Sequence, residues 1–190
     1  MHGFRSWRHG LLLLALAIVL LTSASQAGFA QNPKRAPVDF TENLILAPIA
    51  GTDEYLAYSK RTGEFRKQAV AKGVAVAPVV RDSVAVLSAE GRKVTELIGV
   101  DRDGNWHVLT LPKPASGKCV PIVSDQLALF HIDGRAYAFS GITGTWDSVP
   151  AAASPAVGDE MARIVEADRE TAFSASTGKW AAARATGARR

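Results

Sequence analysis

The sequence predicts an all-β chain built from four tandem repeats of about 34–43 residues, and three observations predict it. A nine-residue phrase returns along the chain. Ala57-Tyr58-Ser59-Lys60-Arg61-Thr62-Gly63-Glu64-Phe65 recurs as Ala138-Phe139-Ser140-Gly141-Ile142-Thr143-Gly144-Thr145-Trp146 and as Ala172-Phe173-Ser174-Ala175-Ser176-Thr177-Gly178-Lys179-Trp180. A looser copy, Ile98 to Trp106, lies between the first and second of these. Prolines phase the copies: Pro37, Pro78, Pro121 and Pro155 stand 28, 28, 25 and 25 residues before Phe65, Trp106, Trp146 and Trp180. Finally, short apolar runs such as Val84 to Leu87 and Leu127 to Phe130 are bounded by turn residues, the pattern of strands buried on both faces.

The four units follow as 37–77, 78–120, 121–154 and 155–190, one β-repeat domain over 37–190. Each opens on a short strand around Pro-x-Val, as in Pro78-Val79-Val80 and Pro121-Ile122-Val123. Thr41, Asp82, Asp125 and Asp159 stand four positions after the prolines, and the aspartates are expected to bond turn backbone groups. Leu44, Ala85, Ala128 and Ala162 stand seven after, and Leu46, Leu87, Phe130 and Ile164 nine after, which aligns the second strands. A turn then follows, Ala89 to Arg92 in the second unit and Asp133-Gly134-Arg135 in the third, where Asp-Gly between apolar runs is a hairpin signal. The Ala-Tyr/Phe-Ser phrase makes a third strand, Thr-Gly or Asp-Gly the next turn, and Phe or Trp opens the last strand.

Met161 to Ala172 tests this reading, because its Met, Ala, Arg and Glu residues favour a helix by propensity. Aligned with Leu127 to Ala138 it is two strands, with Asp168-Arg169 at the turn. Packing context overrides propensity differences of a few tenths of a kcal/mol per residue, so strands are expected.

The stretch from Asp133 to Trp146 resembles the blade endings of kelch-type and quinoprotein-type β-propellers, which place a Tyr-Ala strand and a Thr-Gly turn before a tryptophan. That resemblance implies a propeller-like fold. It brings no functional residue with it, since the kelch Gly-Gly pair is missing and Trp146 follows Gly144 by only two residues. A stacked β-meander or a closed β-barrel stands as the alternative architecture. Units that cannot bury their faces alone need neighbours, so exposed terminal blades would favour a homodimer.

The first 30 residues read as a secretory signal: Arg5 and Arg8, an apolar run from Leu11 to Leu21, and Ser25-Gln26-Ala27 or Gly28-Phe29-Ala30 for cleavage. Residues 31–36 make a short linker. The run is far shorter than the ~20 residues of a membrane span, so no membrane association is expected after cleavage. The expected location is secreted or periplasmic. Of the 22 basic residues two leave with the signal, and the mature chain then carries 20 against 18 acidic ones. A net charge this small argues against nucleic acid as a partner. Cys119 is the sole cysteine, which excludes an internal disulfide and makes a buried apolar role the expectation.

Residues present in every unit are scaffold by this logic, so Phe65, Trp106, Trp146 and Trp180 are expected to pack blades. Residues that break the repeat are the ligand-binding candidates: Asp101, Asp103, His107 and His131. Asp101-Arg102-Asp103-Gly104-Asn105 has the spaced oxygens of a calcium loop but no later bidentate Glu, and a hairpin turn is expected. The two histidines lie in no His-x-His or Glu-x-x-His pair. No catalytic residue, metal ligand or cofactor is therefore assigned. Leu111 to Lys118 reads as an inter-blade connector. The function expected is a non-catalytic binding or scaffold module with a protein or carbohydrate ligand; the alternative is an enzyme acting on extracellular carbohydrate.

Overall fold

The computed structural model describes residues 38–72 and 74–184. The expected signal and linker lie outside them. Fifteen strands run β1 Asp39–Phe40, β2 Leu44–Pro48, β3 Glu54–Ser59, β4 Glu64–Ala69, β5 Ala75–Val80, β6 Val84–Asp101, β7 Trp106–Cys119, β8 Ile122–Val123, β9 Leu127–Ile132, β10 Arg135–Ser140, β11 Thr145–Pro150, β12 Ala156–Val157, β13 Met161–Val165, β14 Arg169–Ser174 and β15 Lys179–Arg184.

They form four separate antiparallel sheets in chain order: β1-β2-β3-β4, β5-β6-β7, β8-β9-β10-β11 and β12-β13-β14-β15. Each sheet contains only strands of its own stretch of chain, so the described residues form neither one meander nor one barrel. It is a propeller-like series of blades. The segment of doubtful propensity is strand, β13 paired with β14, because Ala162, Ile164 and Phe173 are buried against the third sheet's Leu127, Leu129 and Ala136. Burying Ile164 and Phe173 stabilises by about 1.5–3 kcal/mol each, far more than the helical preference lost.

Local chemistry explains the turns. Asp133 and Gly134 both take positive φ, 49° and 71°, as a two-residue hairpin turn between twisted strands requires. The second unit departs from expectation. Ala89 to Arg92 is no free turn, because β6 continues through it and pairs there with Cys119, Lys118 and Gly117 of β7. Ala85 and Val100 nonetheless share one core cluster, as do Leu87 and Ile98. A straight strand would hold Ala85 and Val100 about 50 Å apart, so β6 doubles back on itself and supplies two of the blade's strands. The expected connector, Leu111 to Lys118, is also strand, with Leu111, Ala115 and Cys119 buried in the core.

Strand pairing corrects one alignment. Leu44 lies opposite Ser59, Leu127 opposite Ser140, and Met161 opposite Ser174. The counterparts of Leu44 are therefore Leu127 and Met161, one residue before Ala128 and Ala162. A one-residue slip moves a side chain to the other face of its sheet.

Alternation then places the core between sheets. Ala85 and Leu87 pack with Leu44, Leu46 and Ala57 of the first sheet, whereas Val84 and Val86 pack with Ala128, Phe130 and Phe139 of the third. Phe130, Phe139 and Phe173 are the largest side chains fully removed from solvent.

Candidate functional site

The four candidate residues divide between a turn and a sheet end. Asp101, Asp103 and His107 meet at the β6–β7 turn. Pairing of Val100 with Trp106 and Gly99 with His107 closes the hairpin and brings residue 101 beside residue 107. His107 Nε2 lies 2.8 Å from Asp101 Oδ2, and the side chains are 29% and 9% exposed. Oδ2 also accepts from Asn105 Nδ2 at 3.0 Å. Oδ1 accepts the backbone N–H groups of Asp103 and Asn105, each at 2.9 Å. Burial pushes the Asp101 carboxyl up, but these bonds and the imidazole outweigh it and hold the group below the ordinary carboxylate range.

Four donors fill the approximately four lone-pair sites of a carboxylate. Asp101 thus ties up its turn and orients His107, whose ring packs on Phe139 of the third sheet with centroids 5.6 Å apart. Gly99 makes room for this contact, since a Cβ there would lie 2.7 Å from the Phe139 ring. Asp103 faces the first sheet, with Oδ1 2.8 Å from Arg61 Nε and its carbonyl accepting from Thr62 Oγ1 at 3.3 Å. His131 bonds elsewhere: Nε2 donates to the Ala151 carbonyl at 2.9 Å, closing the far end of the third sheet.

Among the described residues no group of three His, Cys, Asp or Glu side chains has the arrangement to hold a metal ion. Of the repeated aspartates, Asp82 accepts from Asn43 Nδ2 and, at 3.1 Å, from Ser83 Oγ. The turn-backbone role falls instead to Thr41, whose Oγ1 accepts from Asn43 N at 3.3 Å and Leu44 N at 3.2 Å.

The tryptophans expected to pack blades do join them, through hydrogen bonds that sequence reasoning missed. Trp106 Nε1 donates to Arg66 O at 3.1 Å, Trp146 Nε1 to His107 O at 3.1 Å, and Trp180 Nε1 to Asp147 O at 3.2 Å. Each acceptor is the residue just after the preceding blade's Phe or Trp. Serines of the phrase reach the other way: Ser59 Oγ donates to Arg102 O at 2.6 Å, and Ser140 Oγ to Ala175 O at 2.5 Å. The only available signal was the serine's recurrence beside the tryptophan. Among the described residues no hydrogen bond, ring contact or core cluster joins the first sheet to the fourth.

The described residues form a four-bladed, propeller-like repeat. Solved structures similar to it include a streptogramin B lyase (15% identity, 78% of this chain and 53% of that one, TM-score 0.41). Others are Kluyveromyces lactis Hsv2 (10%, 75% and 47%, 0.35) and the N-terminal domain of Nup159 (10%, 78% and 43%, 0.36). The chain spans about half the length of the solved structures it matches. No protein-family model matches it, and no curated protein does.

Proposed function

We propose that the protein is an exported, non-catalytic binding or scaffold module of the secreted or periplasmic space. The observation that supports this reading most is the full occupancy of Asp101. The residue best suited by sequence to chemistry holds a turn and a blade joint with every acceptor site it has. An Asp–His pair orients a general base in many enzymes. Here the imidazole is turned onto Phe139, inside a joint whose other bonds are all structural.

Two measurements test the proposal. Fractionation of the expressing cell with N-terminal sequencing should find the chain outside the cytoplasm, starting just after Ala27 or Ala30. Incubation of the purified protein with a glycan panel should release no product. Turnover that disappears on replacing one of Asp82, Asp125 or Asp159 with Asn would establish the enzyme reading instead.

A further inference from the structure

We propose that Arg102, at the joint between the second and third blades, anchors a binding site for a carboxylate group carried by a ligand. This role rests on the reading of the chain as a binding module and gives that module its ligand chemistry. The repeat supplies the template. Two residues before the turn glycines Gly63 and Gly104 stand Arg61 and Arg102, and one residue before Gly104 and Gly144 stand Asp103 and Thr143. Arg61 Nε meets Asp103 Oδ1 of the next blade at 2.8 Å. Arg102 repeats the arginine, but the blade after it has Thr143 at the position of the carboxylate, and the Thr143 hydroxyl is bonded to that of Thr145 at 2.7 Å. One joint thus holds both halves of an ion pair, and the next holds only the cationic half.

The same deficit appears atom by atom. Arg102 Nε is buried and has no hydrogen-bond partner. All 18 Asp and Glu side chains of the chain lie among the described residues, and none forms an ion pair with Arg102. Its acidic neighbours in sequence are engaged elsewhere, Asp101 by its own turn and His107, Asp103 by Arg61. Arg135 is the other arginine with a buried, unbonded Nε, yet its Nη2 donates to Ser148 Oγ at 3.1 Å. No such bond relieves Arg102.

The backbone around Arg102 is fixed from both sides. Its N–H donates to Gly141 O at 2.9 Å and its carbonyl accepts from Ser59 Oγ at 2.6 Å, so the residue is clamped between turns of the first and third blades. The residue as a whole is only part-buried, which leaves the guanidinium open to solutes. A guanidinium stays charged throughout the ordinary pH range, and its planar fork of N–H donors matches the two oxygens of a carboxylate. Partial desolvation strengthens its pull on an anion. A carboxylate arriving end-on at the two terminal nitrogens would take the part that Asp103 plays for Arg61. One ion pair at a part-exposed site binds weakly by itself, so the group acts as an anchor that orients a larger ligand.

Titration of the nitrogen-15-labelled protein with sodium acetate, in place of sodium chloride at constant ionic strength, tests this. The Arg102 Nε–H resonance, assigned by its loss in Arg102→Lys, should shift saturably together with the backbone amides of Thr143 and Gly144. Read from those amides, the acetate dissociation constant should rise at least tenfold in Arg102→Gln and at least threefold in Arg102→Lys, and should be unaltered in Arg135→Gln. The lysine variant keeps the stem and the charge, so it decides the matter even if the glutamine variant unfolds. Acetamide, the uncharged counterpart, should cause no shift. An absence of saturable shifts, an acetate constant unchanged in both Arg102 variants, an equal loss in Arg135→Gln, or acetamide acting like acetate would each overturn the assignment. Any of these would leave the binding-module reading standing, whereas turnover on the glycan panel would remove that reading and leave the acetate result untouched.

Discussion

Trp146 donates its indole N–H to the backbone oxygen of His107, 3.1 Å away across the boundary between the second and third sheets. A neutral hydrogen bond contributes about 1 kcal/mol net, and a buried carbonyl left without a donor costs about 1–3 kcal/mol. Trp146→Phe should therefore lower stability by about 1–3 kcal/mol, read as a shift of the urea midpoint with an unchanged slope. Phe65→Trp, whose N–H faces no carbonyl of a preceding blade among the described residues, should gain nothing comparable.

Glycine substitutions should rank by what stands opposite. Gly63→Ala meets only the backbone cost of its φ of 71°, about 1–2 kcal/mol. Gly144→Ala has a similar φ of 66° and also drives a methyl to 2.6 Å from His107 Nε2, disturbing the pair with Asp101. Gly141→Ala should be the most damaging, because its Cβ would lie 2.0 Å from the Ser83 carbonyl oxygen, which is backbone of the neighbouring blade. Thermal melts of the three variants check the order.

Acid should loosen the joint at Asp101. Its carboxyl is raised by burial but held low on balance by the His107 and Asn105 bonds. A group whose folded pKa is depressed contributes stability that is complete above its unfolded value and lost as pH falls through the folded one. Stability should thus decline on acidification below about pH 4. Asp101→Asn should be less stable at neutral pH and should show a shallower acid limb in a pH series of denaturant midpoints.

Cys119 should behave as a core residue. It is 3% exposed, and burial, with a smaller contribution from the Asp133 charge, pushes its thiol up. A chromogenic disulfide reagent should label it slowly in native buffer and at once in denaturant. Rapid native labelling would show that the Ala115–Cys119 end of β7 is open.

Much of this architecture was legible in the chain because a blade repeats its side chains. The turn glycines Gly63, Gly104, Gly144 and Gly178 and an aromatic two residues after each recur in every unit, and Asp133-Gly134 in the third carries its own hairpin signal. The joints were not legible, for a physical reason. The indole acceptors are the carbonyls of Arg66, His107 and Asp147, and any residue supplies a carbonyl. The alignment of Leu44 with Ala128 failed because proline spacing fixes position only to within a residue, while the sheet face changes with every residue. The pair of Asp101 with His107 needed the hairpin register, which brings residues six apart together. Leu111 to Lys118 looked like a connector because Pro112, Pro114 and Gly117 mask its buried Leu111 and Ala115.

The central claim is that tryptophans of successive blades lock onto the backbone of the blade before. Hydrogen exchange of the indole N–H groups, followed by nitrogen-resolved NMR, tests it most directly. Trp106, Trp146 and Trp180 should exchange roughly tenfold or more below the rate of a free indole, the ratio that about 1.4 kcal/mol of local stability gives. Exchange of these three protons at the free rate in the folded protein would contradict the account.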